Sequence, residues 1–166
     1  MPPRILVAGI GNIFLGDDGF GCEVAGRLAV DPPRTDVRIV DYGIRGMHLA
    51  YDLLDGYEAL ILVDALPGPD SPGTLRVLEV GADDLGVSGP GGLDAHAMDP
   101  ATVLAGLRAL GGELPPTFVV GCIPADLGER IGLSGPVAAA VEPAAATVRG
   151  LVDDELSLRA ASAAGG

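Results

Sequence analysis

Residues 5–21, ILVAGIGNIFLGDDGFG, decide how the rest of the chain is read. Ile5–Gly9 is a short apolar run of the kind that forms a strand buried on both faces. Phe20, Val24 and Leu28 then recur at four-residue intervals, which predicts a helix from about Asp18 to Ala29. A buried strand, a glycine turn and an amphipathic helix make the first half of a parallel crossover unit. The turn between them is unusual. Its glycines suggest a nucleotide loop, yet Asp17 and Asp18 stand where such a loop would meet phosphate.

The phosphate reading is weak on two counts. Gly9 and Gly11 begin a Gly-x-Gly-x-x-Gly pattern, but position 14 is Phe. A helix N-terminus attracts anions, and two carboxylates already place negative charge there. The spacing suits a cation better.

Downstream, the same alternation repeats. Val37–Val40 reads as a second strand ending in Asp41, and Met47–Leu54 as a short helix after the turn Gly43-Ile44-Arg45-Gly46. Ala59–Val63 is the most apolar strand and ends in Asp64. Thr74–Val80 alternates and suits an edge strand. Gly81–Gly92 reads as loop. Asp99-Pro100 starts a helix that Gly111 stops. Thr117–Gly121 is the last strand. Ser134 caps a final helix, which Pro143 kinks or restarts. The pattern predicts one α/β domain over residues 1–156, with 157–166 as a flexible C-terminal tail. Its architecture is a three-layer α/β/α sandwich around a mostly parallel five-stranded sheet with one antiparallel edge strand.

Composition narrows the chemistry. The 166 residues are 48% hydrophobic but only 4% aromatic, so the core is built from Ala, Val, Leu and Ile. Net charge is −13, and all ten basic residues are Arg. Without Lys there is no Walker-type phosphate loop, Schiff base or Ser-Lys dyad. Acidity of this degree excludes nucleic acid as a partner. No stretch reaches the roughly 18 apolar residues of a membrane helix. Cys22 and Cys122 fit no Cys-x-x-Cys pattern and read as free thiols of a cytoplasmic protein.

In open parallel sheets ligands bind beyond the carboxyl ends of the strands. Asp18, Asp41, Asp64 and His96 all fall on that rim. Carboxylates with one imidazole make a borderline site for a divalent ion such as nickel or zinc, with positions left open for substrate or water. Each residue also has a plainer reading. Asp17 reads as an N-cap, and Asp18 as a complement to the helix dipole. Asp41 would bond the backbone of the Gly43 turn. Asp64 reads as a capping residue and His96 as an exposed bystander. His48 lies within a predicted helix and suits a surface role, and Cys22 suits the core. No Gly-x-Ser-x-Gly elbow is present.

Taken together, ILVAGIGNIFLGDDGFG, DYGIRGMHL, LILVDAL, the DAHAMDP loop and VVGCIPADL with the following IGLS resemble the nickel–iron hydrogenase maturation endopeptidases. The resemblance is collinear from about Ile5 to Val152. It implies a cytoplasmic protease that removes the C-terminal extension of the hydrogenase large-subunit precursor after nickel insertion. It also implies metal-binding positions at Asp18, Asp64 and His96, with these residues in the catalytic centre. The nickel would be substrate-borne, with zinc or another divalent ion able to substitute in vitro. Asp41 and Gly43 would help bind the peptide, and a monomer would suffice. Three departures stand out. The first acid is often Glu in the family. The turn after strand two is often Asp-Gly-Gly-Thr rather than Asp41-Tyr42-Gly43-Ile44. The histidine loop lacks Ser-Pro-His. A nickel-binding delivery protein and, further off, a nucleotide-binding module are the alternatives.

Overall fold

The computed structural model describes residues 3–80 and 100–164. The two apolar runs picked out in the sequence form its centre. β1 (Ile5–Ile10) is buried along its whole length, and β3 (Ala59–Ala65) is buried apart from Asp64. They pair in parallel, Ile5 with Ala59 through to Gly9 with Val63. Outside them lie β2 (Val37–Gly43), parallel to β1, and β5 (Thr117–Cys122), parallel to β3. β4 (Leu75–Val80) runs antiparallel to β5 and closes the sheet at the edge. Among the described residues the order is β2-β1-β3-β5-β4, as the patterning predicts.

Strand alternation sends side chains to opposite faces, and each face has its own helical layer. Ile5, Val7, Ile61 and Val63 meet Phe20, Val24 and Leu28 of α1 (Phe20–Ala29). The same layer holds α4 (Gly135–Ala139) and α5 (Val141–Ala164), through Val137, Ala144, Ala145 and Val148. On the other face Leu6, Ala8, Ile10, Leu60 and Leu62 pack under α2 (Gly46–Leu53) and α3 (Pro100–Ala109), which contribute Leu49, Leu53, Val103 and Leu107. Each fully buried Leu, Ile or Val side chain contributes about 1.5–3 kcal/mol. That driving force explains why a chain so poor in aromatics needs two continuous apolar faces.

Local chemistry sets the ends of the helices. Pro100 opens α3, and Gly111, at a φ of 84° that favours glycine, ends it. Pro143 lies in the first turn of α5, where its missing N–H costs nothing, so the final helix restarts there. Three expectations need correction. The helix predicted from Asp18 begins as a 3-10 turn over Gly16–Gly19 and becomes α-helical only at Phe20. Asp41 and Asp64 lie inside their strands, not at the last residue. The segment 157–166, read as a flexible tail, is helical as far as Ala164. Ala and Leu are strong helix formers, and Arg159 bonds Glu155 one turn back.

Candidate active site

The glycines of the opening turn serve close packing. A Cβ on Gly21 would stand 2.1 Å from the Val63 carbonyl oxygen and 2.4 Å from that of Ile10. A Cβ on Gly9 would stand 2.3 Å from the Gly21 carbonyl oxygen. The first turn of α1 therefore rests directly on the ends of β1 and β3. Gly11 has a φ of 138°, and a Cβ there would come within 1.9 Å of the Asp18 carbonyl oxygen. No room is left for a pyrophosphate to approach these backbones. What the packing does is bring residue 18 over the sheet end.

Asp17 and Asp18 point in opposite directions. The Asp17 side chain is fully buried. Its Oδ2 accepts hydrogen bonds from the Ala125 N–H (2.8 Å), the Asp126 N–H (2.9 Å) and the Ser134 hydroxyl (2.8 Å), and its Oδ1 from the Ser134 N–H (2.7 Å). Burial alone would raise its pKa. The bonds from Ser134, Asp126 and Ala125 outweigh burial and hold the carboxyl below its ordinary value. The expected N-cap role is therefore wrong: Asp17 clamps the β5–α4 loop onto the β1–α1 loop. Ser134 does precede α4 as expected, but its hydroxyl is turned to Asp17 and makes no cap bond.

The clamp is reinforced by backbone pairing. The Gly16 N–H donates to the Arg130 carbonyl, the Arg130 N–H to the Phe14 carbonyl and the Asp17 N–H to the Asp126 carbonyl. Because β3 lies between β1 and β5, the β1–α1 loop must cross the end of β3 to make these bonds. Asp64 stands at that end.

Asp18 accepts a hydrogen bond from the Asn12 N–H at Oδ2, 2.8 Å. The Asp64 Oδ1 accepts one from the Ala65 N–H, 2.8 Å. Desolvation, and then the negative charge of Asp18, push the Asp64 carboxyl well above the usual carboxylate range, against a smaller opposing effect of the Ala65 N–H. Two like charges facing one another at a partly dry site favour a shared proton or a bound cation.

Asp41 is exposed, and its Oδ1 accepts from the Gly43 N–H (3.0 Å), the turn contact expected of it. Gly43 takes a φ of 58°. Arg45 braces this corner, donating from Nη2 to the Asp41 carbonyl (2.7 Å) and from Nε to the Tyr42 carbonyl (3.1 Å). Between the β1–α1 and β2–α2 loops lies a cleft of about 310 Å³, walled by Ile13, Phe14, Ile44 and Tyr42 with Cys22 and Asp41 at its base. It meets a shallower trough of about 420 Å³ that runs over Gly26 and Glu23 of α1. The buried Cys22 thiol donates to the Gly11 carbonyl (3.6 Å), and burial followed by the Asp41 and Asp64 charges pushes its pKa far up. It is a wall of the cleft and not a thiolate nucleophile.

His96 lies outside the described residues. His48 is exposed on α2, in keeping with a surface role. Among the described residues no three His, Cys, Asp or Glu side chains are placed to hold a metal ion. Asp18 and Asp64 are brought together as a pair, and Asp41 stands apart beside Cys22.

Comparison with known proteins gives this arrangement its context. The family of hydrogenase maturation proteases matches residues 22–150. The Escherichia coli hydrogenase 2 maturation protease is 35% identical over 144 residues, covering 85% of each chain. The chain belongs to the hydrogenase maturation protease family. The fold agrees: the structure of the E. coli hydrogenase-maturating endopeptidase HybD superposes with a TM-score of 0.77 at 32% identity, covering 92% of this chain and 93% of that one. A hydrogenase 2 maturation peptidase from a Thaumarchaeota archaeon superposes with a TM-score of 0.69 at 29% identity, covering 90% of this chain and 97% of its own. For this maturation protease the nucleotide alternative falls, and the acids of the sheet end become the candidates for peptide hydrolysis.

Three features escaped sequence reading. The Asp17 clamp carried no local signal, since its partners lie more than 100 residues away. Arg45 could have been noticed as a lone cation two residues past a left-handed glycine. The apolar walls Ile13, Phe14 and Ile44 were visible as large residues in a loop but were not assigned a role.

Proposed function

We propose that this maturation protease removes the C-terminal extension of a nickel–iron hydrogenase large-subunit precursor, and that it reads nickel already held by that precursor. The observation that supports this reading is the facing pair of Asp18 and Asp64, whose mutual repulsion raises the Asp64 pKa. A divalent ion between them would reverse that repulsion. Two carboxylates alone are a poor cage for such an ion, which favours one that brings further ligands with the substrate. His96 is proposed as the third protein ligand.

In this scheme the ion is part of the substrate and polarises the scissile carbonyl. One of the two carboxylates accepts a proton from the attacking water. Asp41, Gly43 and the Arg45-braced turn line the cleft where the extended tail would lie. The protein working as a monomer in the cytoplasm fits this scheme, and zinc or another divalent ion could replace nickel in vitro.

The test is an intact-mass assay on nickel-loaded and nickel-free precursor from the same source. Loss of the tail from the loaded form alone is the expected result. Equal cutting of both forms would remove the nickel checkpoint. Cutting of neither, with nickel bound tightly by the protein itself, would leave a delivery role instead.

A further inference from the structure

The loop that Asp17 holds in place carries large apolar side chains into solvent. Ile131 is 75% exposed, Leu127 42% and, across the Leu15–Arg130 bridge, Phe14 61%. Such side chains cluster where proteins meet partners. The three sit on two loops locked together by the Asp17 bonds and by backbone pairing, so little conformational freedom remains to be lost on binding.

The geometry distinguishes this ridge from the cleft. Neither Leu127 nor Ile131 lines the cleft or the trough; only Phe14 touches both regions. An extended peptide is usually held by unpaired backbone groups along an edge. Here those groups are occupied: the Phe14, Asp126 and Arg130 carbonyls and the Ala125, Asp126 and Ser134 N–H groups all have partners. What remains is a row of protruding apolar side chains beside the site. That shape suits a shallow apolar face on a folded protein and does not suit a strand.

We infer that Phe14, Leu127 and Ile131 form a docking ridge for the folded body of the precursor, separate from the cleft that takes its tail. This rests on the substrate assignment proposed above. The ridge is continuous with the cleft through Phe14, so one precursor can reach both. It makes recognition two-part: the body is engaged at the ridge whether or not nickel is present, and the acid pair reads the metal.

The test uses the full-length protein and a chain carrying both Leu127→Ser and Ile131→Ser. Both positions are exposed, so the melting temperature should be unchanged, and a Leu127→Met/Ile131→Val chain controls for shape. Binding of nickel-free precursor is measured by interferometry. The wild type and the conservative chain should bind alike, and the serine chain about tenfold more weakly or worse, as loss of two anchor side chains implies. On nickel-loaded precursor the serine chain should raise KM by a similar factor and leave kcat unchanged. A synthetic tail peptide should bind wild-type and serine chains equally. Equal precursor binding by both chains would overturn the ridge. So would no binding of nickel-free precursor, or a wild-type dimer that the serines dissociate. If binding differs as expected but loaded precursor is never cut, the ridge stands and the protease assignment for that precursor fails.

Discussion

The Asp17→Asn substitution isolates what the buried carboxylate does. Its amide oxygen can replace Oδ2 and keep the bonds from Ala125, Asp126 and the Ser134 hydroxyl. The amide NH₂ must then occupy the Oδ1 position, 2.7 Å from the Ser134 N–H, where two donors face one another. Losing that charge-assisted bond and leaving a buried N–H unpaired costs about 3 kcal/mol, after allowing for relief of a buried charge. For a domain of this size that lowers Tm by roughly 6–12 °C. Asp17→Ala strips all four bonds and should cost about 4–5 kcal/mol. Ser134→Ala removes only the hydroxyl bond and should cost about 1 kcal/mol. Thermal and urea denaturation of the three variants should give that order. An Asp17→Asn protein melting within about 2 °C of the parent, or a Ser134→Ala protein as unstable as Asp17→Ala, would refute the clamp.

Other outcomes follow from neighbouring residues. Gly21→Ala forces a methyl into the Val63 and Ile10 carbonyls, so α1 must lift from the sheet. A loss of about 3 kcal/mol or more is expected, seen as low soluble yield and a depressed Tm. Asp18→Asn and Asp64→Asn, made separately, should each reduce precursor processing by about a hundredfold or more if both act on the scissile centre. Asp64→Asn should also leave Tm unchanged or raise it, because it removes a repelled, poorly solvated charge. Normal processing by both variants would refute their role. Asp31 bonds Arg149 and Arg27, and its carboxyl is held below the ordinary value chiefly by the Arg149 bond. A depressed folded-state pKa stabilises above the unfolded value of about 3.9 and loses that effect as pH falls through the folded one. Asp31→Asn should therefore be the less stable protein between about pH 5 and 7, with the gap closing in acid. A gap that widened on acidification would contradict the assignment.

The strands were legible because β1 and β3 are buried on both faces, which demands unbroken apolar runs. α1 was legible because its stripe of Phe20, Val24 and Leu28 faces a flat sheet. Its first turn was less so, since the close approach at Gly9 and Gly21 imposes a tighter 3-10 start. The carboxyl-end rule placed Asp18 and Asp64 together without any coordinates. The same rule overgrouped Asp41. Tyr42 is an extra residue opposite the Gly9–Ile10 step of β1, and with Arg45 holding the chain beyond it, Asp41 is left on the flank beside Cys22. Periodicity carries no information on such a bulge. Nor does it carry any on Asp17, whose partners are fixed by tertiary contact alone.

Two adjacent acids with opposite fates make one device. Burying Asp17 without partners would cost several kcal/mol, and a neutral side chain of similar shape could fill the space. A carboxylate accepts four hydrogen bonds there, from a loop that follows a different strand. It thereby fixes the β1–α1 loop where that loop crosses the end of β3. Asp18, one residue on, inherits the position and faces Asp64. Sites of this kind lose most of their activity when the reacting groups drift by about 1 Å. The order of the pair therefore matters as much as its composition. Exchanging the two functions between positions 17 and 18 is impossible without rotating the 3-10 turn, because successive residues there point about 120° apart. On this argument Asp17→Asn should impair processing more than its loss of folded protein accounts for. Activity per folded molecule, measured well below Tm, decides the matter: if it equals that of the parent, Asp17 supports the fold and does not place Asp18.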